Sequence, residues 1–190
     1  MNEQDRELLK QVRLYLGKEN WDILLKITKK EMNFFKTFPL NMSKTYFVIG
    51  KRNTLEKFRA FYLTRSVKNK PIYRQYHMYE YASVLSGSIE DSGLIVDVEL
   101  LFLDRHNQTY ELGNTDKWLN EVILSKVADR NRDRLVTVIL SEIPMPTLEN
   151  SGEFEIINLI GSSIVSKKAD LSKFSNGTGS TDQEHTDYSS

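Results

Sequence analysis

From residue 18 to 36 the chain reads KENWDILLKITKKEMNFFK, and Trp21, Leu24, Leu25, Thr28, Met32 and Phe35 recur at spacings close to three and four. Side chains so spaced share one stripe of a helix, and the segment is long enough for about five turns. A shorter helix is expected before it, ending near Gly17. After Pro39 the period changes. TYFVIG, PIYRQYH, ELLFLD and VTVIL are short, rich in β-branched or aromatic residues, and separated by the helical patterns TLEKFRAFYLTRSVKN, MYEYASVLS and NTDKWLNEVILSKVADRNRD. In the last of these, Leu119, Val122, Ile123 and Val127 line one face, and Asn114, Thr115 or Asp116 is placed to cap the start. Strands alternating with helices predict an α/β fold, a mostly parallel sheet covered on both faces.

Composition narrows this to one domain. With 190 residues, 39% of them hydrophobic, and 9 Phe, 9 Tyr and 2 Trp, the chain can bury one sizeable core. The expected division is N-terminal helices over 1–40 packing on or extending the core, an α/β domain over 41–172, and a disordered tail over 173–190. From Ser175 the tail, SNGTGSTDQEHTDYSS, contains no aliphatic side chain. Basic and acidic residues balance at 26 each, so only local charge asymmetry argues for nucleic acid. Cysteine is absent, which excludes disulfides, thiolate zinc sites and a cysteine nucleophile and fits a reducing compartment. The N-terminus MNEQDRELLKQ is charged, and no apolar run approaches the roughly 20 residues of a membrane span. The chain reads as soluble and cytoplasmic, with no membrane partner.

In open parallel sheets, chemistry collects at the carboxyl ends of strands. The first strand ends at Gly50 and runs into a helix, as a phosphate-binding loop does. The third, VELLFLDRHNQ, is an apolar run ending in Asp104, the pattern of a Walker B strand whose aspartate organises magnesium. The fourth, VTVILSE, ends in Ser141 and Glu142. His77, His106 and His185 are scattered without a partner at ligand spacing, so no metal site is expected. Ser141 lacks the flanking glycines of a nucleophile elbow.

Taken in order, residues 46 to about 165 resemble the AAA+ core of bacterial replicative-helicase loaders of the DnaC and DnaI type and the related IstB transposition ATPases. The resemblance is most specific from Val98 to Leu148: a Walker B strand, a short loop, a tryptophan-bearing helix, an Arg-rich turn, a sensor strand, then a loop into the next helix. Upstream, YFVIGKRNTLEKFRAFYL falls at the Walker A loop. About two thirds of the chain is covered. The resemblance implies a P-loop NTPase-like fold with N-terminal helices and without a lid domain.

The same alignment implies that the nucleotide site is degenerate. Aligned from Gly50, the second glycine falls on Asn53, the third on Leu55, the phosphate-binding lysine on Glu56 and the magnesium-holding Ser/Thr on Lys57. A working loop cradles phosphates with backbone N–H groups that glycine lets approach closely. Here a carboxylate replaces the ammonium. Asp104 matches the Walker B aspartate, but the adjoining acid is Arg105, and the sensor asparagine is Glu142. Phe154 and Asn158 stand where arginines would serve a neighbouring subunit. No cofactor and no enzymatic activity are expected. The alternative is an unrelated α/β domain that never had a P-loop.

Between Lys51 and Arg74 there are eight basic residues, Lys51, Arg52, Lys57, Arg59, Arg65, Lys68, Lys70 and Arg74, against one acid, Glu56, with Tyr62 and Tyr73 among them. Such a stripe suits a phosphate backbone with stacking aromatics, or is a solvated helix face. Arg130, Arg132 and Arg134 alternate with Asp129 and Asp133 and read as a salt-bridged surface or subunit contact. The expectation is a catalytically inactive AAA+-like accessory protein in DNA replication or mobile-element DNA handling. It would bind an AAA+ loader, a helicase or a homologous subunit through Trp21 and Phe35 of the N-terminal stripe, unless that stripe packs on the core. The alternative is a DNA-binding accessory that uses the stripe at 51–74.

Overall fold

The computed structural model describes residues 3–38, 44–66, 71–85, 98–105, 114–143, 147 and 165–174. The expected tail from 175 onward, and Lys68, Lys70, His106, Phe154, Asn158 and His185, lie outside the described residues.

Among the described residues, five strands form one sheet: β1 Thr45–Ile49, β2 Tyr73–His77, β3 Leu100–Arg105, β4 Val136–Ser141 and β5 Val165–Asp170. Their order is β2-β3-β4-β1-β5, and every pairing is parallel. Parallel neighbours need crossovers, and α3 Arg52–Ser66, α4 Met78–Leu85 and α5 Asn114–Arg132 lie between successive strands. β1, β3 from Leu100 to Asp104, and β4 are buried along their length, as expected of strands covered on both faces. The fifth strand, VSKKAD, went unpredicted because two lysines interrupt its apolar character.

Two clusters cover the two faces. One packs Tyr81 and Ala82 of α4 and Ile123 and Val127 of α5 on Phe47, Leu101, Leu103 and Ile139. The other sets Leu16, Phe35, Phe38, Leu55, Phe58 and Tyr62 against Tyr46, Val48, Phe102 and Val138. The N-terminal helices therefore belong to the main core. The body also runs past residue 172, since the Phe174 ring lies 4.9 Å from that of Phe34.

The long helix expected over 18–36 is two helices. α1 spans Glu3–Leu24 with a break at Gly17, whose φ of 73° and ψ of 169° suit glycine. α2, Lys29–Lys36, starts afresh at Thr28. The Glu31 amide donates to Thr28 Oγ1 at 3.2 Å, and the Thr28 amide donates to Glu31 Oε2 at 2.7 Å. This reciprocal cap competes with helix continuity, so Thr28 is a boundary and not a stripe position. Leu25, in the connection, is exposed.

Candidate functional site

At the carboxyl end of the sheet an open cleft holds about 460 Å³ of empty space, part of it open to solvent. It lies over β2, β3 and β4 beside the start of α3, and its lining draws on Glu19 of α1, Arg52, Leu55, Glu56 and Arg59 of α3, Gln75 of β2, Asp104 of β3, and Leu140 and Glu142 at the end of β4. Four of the residues picked out from the sequence as a degenerate nucleotide site, Leu55, Glu56, Asp104 and Glu142, thus converge on one place. Arg59, read from the sequence as part of a DNA stripe, joins them.

The link from β1 to α3 is short. Gly50 and Lys51 are the only residues between Ile49 and the helix start at Arg52. The Thr54 and Leu55 amides both donate to the Lys51 carbonyl, at 2.9 and 3.0 Å, as the first helical turn. In a phosphate loop, amides at these positions point at a ligand; here they are used within the helix. Thr54 and Leu55 are buried, and Leu55 packs with Leu140 and Leu171. Gly50 has a packing role: a Cβ built on it would meet the Leu171 Cβ at 3.0 Å, beside the bond from the Leu171 amide to the Ile49 carbonyl.

The remaining positions separate. Asn53 is exposed and off the cleft lining. Lys57, aligned with the magnesium-holding hydroxyl, turns to the other side of α3 and pairs with Glu31 Oε1 at 2.9 Å. Burial alone would raise the Glu31 pKa, but the Thr28 amide and the Lys57 ammonium outweigh it, and the carboxyl is held below its ordinary value. Arg105 lies outside the lining, and its carbonyl accepts from the Glu142 amide at 3.0 Å.

Charge in the cleft is arranged around Arg59, which is 5% exposed. Its Nη1 lies 3.9 Å from Asp104 Oδ2 and its Nη2 3.8 Å from Glu19 Oε1. Gln75 Nε2 donates to Asp104 Oδ2. At the rim, Arg52 Nε contacts Glu56 Oε1 at 3.1 Å. No sequence signal marked Glu19 or Gln75, because only the fold brings α1 and the end of β2 to this edge. Among the described residues, no three His, Asp or Glu side chains are grouped to hold a metal ion, and no helix is long and apolar enough to cross a membrane.

The basic stripe does not form one face. Arg59 is in the cleft, Lys57 is paired with Glu31, and Arg65 Nη1 donates to the Phe38 carbonyl at 2.6 Å; Lys51 and Arg52 are exposed, and Arg74 is half-buried. Phe35, expected as a partner anchor, is 1% exposed and packs on Phe58 and Phe61. Trp21 is half-buried on the same core. In the Arg-rich turn, Arg132 makes the expected surface pairs with Asp129 and Asp133. Arg130 corrects the expectation: it is 1% exposed and donates to Thr137 Oγ1, the Val98 carbonyl and the Val136 carbonyl at 2.8–3.0 Å.

The strand order and the parallel pairing decide the fold class. The described core is an α/β fold, a five-stranded parallel sheet of order β2-β3-β4-β1-β5 covered by helices on both faces. No protein-family model and no curated protein matches the chain. Solved structures similar to it include two of replication proteins. A candidate primosome component from Streptococcus pyogenes serotype M3 shares 18% identity, with 74% of this chain and 75% of that chain covered and a TM-score of 0.45. The DnaC helicase loader shares 12% identity, with 74% of this chain and 85% of that chain covered and a TM-score of 0.45. Likeness at this distance concerns the course of the chain and carries nothing about its chemistry.

Proposed function

We propose that the chain is a pseudo-ATPase, an AAA+-like domain that acts through its surfaces by binding a protein partner. The observation that carries this reading is the start of α3 at Arg52, with the Thr54 and Leu55 amides bonded inside the helix. Phosphate binding needs those amides free. Charge supports the same reading, because the cleft sets four carboxylates against two guanidiniums. One like-charge contact at about 4 Å costs on the order of 4 kcal/mol near a surface, and a triphosphate would make several.

The setting, DNA replication or mobile-element DNA handling, follows from the resemblance of Val98–Leu148 to helicase loaders and transposition ATPases. An AAA+ loader, a helicase or a homologous subunit is the partner class it implies. A DNA-binding role is less favoured, since three of the stripe's cations are engaged within the protein. Titration of the full chain with magnesium-ATP in a calorimeter is expected to give no heat of binding. A dissociation constant in the low micromolar range would sink the reading. Glu56→Lys alone is expected to leave binding absent, because it does not lengthen the link between Ile49 and Arg52.

A further inference from the structure

We propose that the exposed lysines of α2 are the docking face for the chain's own acidic tail, residues 175–190, which closes that face to other polyanions. The inference goes beyond the pseudo-ATPase reading and does not depend on it. On α2, Lys29, Asn33 and Lys36 recur at helical spacing with Lys30 and the capping Thr37 beside them, and all five are exposed. The one acid of this helix, Glu31, is 4% exposed and paired with Lys57. Three ammoniums thus share a face that carries no carboxylate. Among the described residues none of the three is in an ion pair. On the adjoining α3 the one acid, Glu56, is engaged with Arg52, and Asp170 at the end of β5 accepts from the Ser172 amide. Phe35 already sits in the core, so the free side of α2 offers charge alone.

The tail is the occupant because of where it starts and what it carries. The Phe174 ring lies 4.9 Å from that of Phe34, which stands one helical turn from Lys30. The chain therefore leaves residue 174 beside the lysine face. Seven uncharged residues follow, SNGTGST, and then Asp182, Glu184 and Asp187, with no lysine or arginine from 175 to 190. The eight residue steps from Phe174 to Asp182 reach at most about 26–29 Å, more than twice the roughly 12 Å length of α2. All three ammoniums are within range of the first carboxylate. Single pairs at an exposed surface are weak, but a short tether supplies the tail at an effective concentration on the order of millimolar, against which a free polyanion has to compete. With no aliphatic side chain in the tail, the contact is one of charge and is sensitive to salt.

The chain contains no cysteine, so a spin label on Ser189→Cys marks the tail alone, and amide NMR of the full chain reads what lies near it. At about 20 mM salt the amides from Lys29 to Lys36 are expected to lose intensity, and at about 1 M salt, where charges act over about 3 Å, to regain it. Lys29→Gln/Lys30→Gln/Lys36→Gln and Asp182→Asn/Glu184→Gln/Asp187→Asn should each abolish the loss. Lys29→Glu/Lys30→Glu/Lys36→Glu combined with Asp182→Lys/Glu184→Lys/Asp187→Lys should restore it. Removal of 175–190 is expected to tighten the binding of a labelled oligothymidylate roughly 3- to 10-fold at the lower salt, an effect that the lysine-to-glutamine variant lacks. Full intensity on α2 at low salt, a loss indifferent to the charge variants, or an unchanged oligothymidylate affinity overturns the proposal. So does a loss that passes from spin-labelled to label-free copies in a mixture, since the occupant would then belong to a second chain.

Discussion

Arg59 and Arg130 are both buried arginines beside the central strands, at opposite ends of the sheet, and they are held in different ways. Arg130, on α5, donates three hydrogen bonds of 2.8–3.0 Å to acceptors at the starts of β3 and β4. It ties a helix to two strands through directed bonds. Arg59, on α3, sits 3.8 and 3.9 Å from two carboxylates in an open cleft. The amino end of the sheet is thus built for rigidity and the carboxyl end for charge balance. Open parallel sheets place ligand chemistry at the carboxyl end, and there four carboxylates and two guanidiniums line the cleft.

The largest expected effect bears on this difference directly. Arg130→Gln strands two carbonyls and a hydroxyl and is expected to cost about 3–5 kcal/mol in urea denaturation. Arg59→Gln is expected to cost less, about 1–2 kcal/mol, since its pairs are long and the cleft admits water. Equal losses at the two sites would break the comparison.

Glu31 and Lys57 give an intermediate case, an ion pair of 2.9 Å between α2 and α3. Glu31→Gln can keep the cap on Thr28 but loses the pair, at an expected cost of about 1 kcal/mol near neutral pH. The folded Glu31 pKa lies below its ordinary 4.5. Its contribution is therefore full above the unfolded value and is lost as pH falls through the folded one. Stability of the Gln variant measured from neutral to acid pH should converge on wild type. A gap that widens towards low pH would contradict the assignment.

The smallest effect is a gain. Arg134 has φ of 60° in the turn after α5, where the Leu135 amide donates to the Arg130 carbonyl at 2.8 Å and the Arg134 amide to that of Asn131 at 3.2 Å. This is a Schellman closure with a non-glycine residue at its left-handed position. Arg134→Gly is expected to stabilise by roughly 0.5–1 kcal/mol. A loss would mean that the Arg134 side chain supplies more at this end of the sheet than its backbone strain costs.

The sequence by itself determined most of the elements, β5 and the break at Thr28 apart, and the α/β class of fold. β1 to β4 and α3 to α5 are readable because β-branched and aromatic runs end sharply at helical periods, and those patterns depend on neighbours close in sequence. The convergence of Leu55, Glu56, Asp104 and Glu142 was also legible, because parallel strands put their carboxyl ends together. The break at Thr28 was missed even though Thr28 and Glu31 spell the capping pattern, since the apolar spacing ran across it. Tertiary structure alone decided where each charge went. Lys57 and Arg59 are two residues apart on one helix, about 200° around its axis, so one meets Glu31 on α2 and the other meets Asp104 and Glu19 in the cleft. Phe35 could be read as a partner anchor or as core, and Arg130 as a surface or subunit contact, until packing buried one among aromatic rings and the other among backbone carbonyls. Partners far apart in the chain are chosen by how helices dock on the sheet, and spacing along one segment carries no information about the segment that will face it.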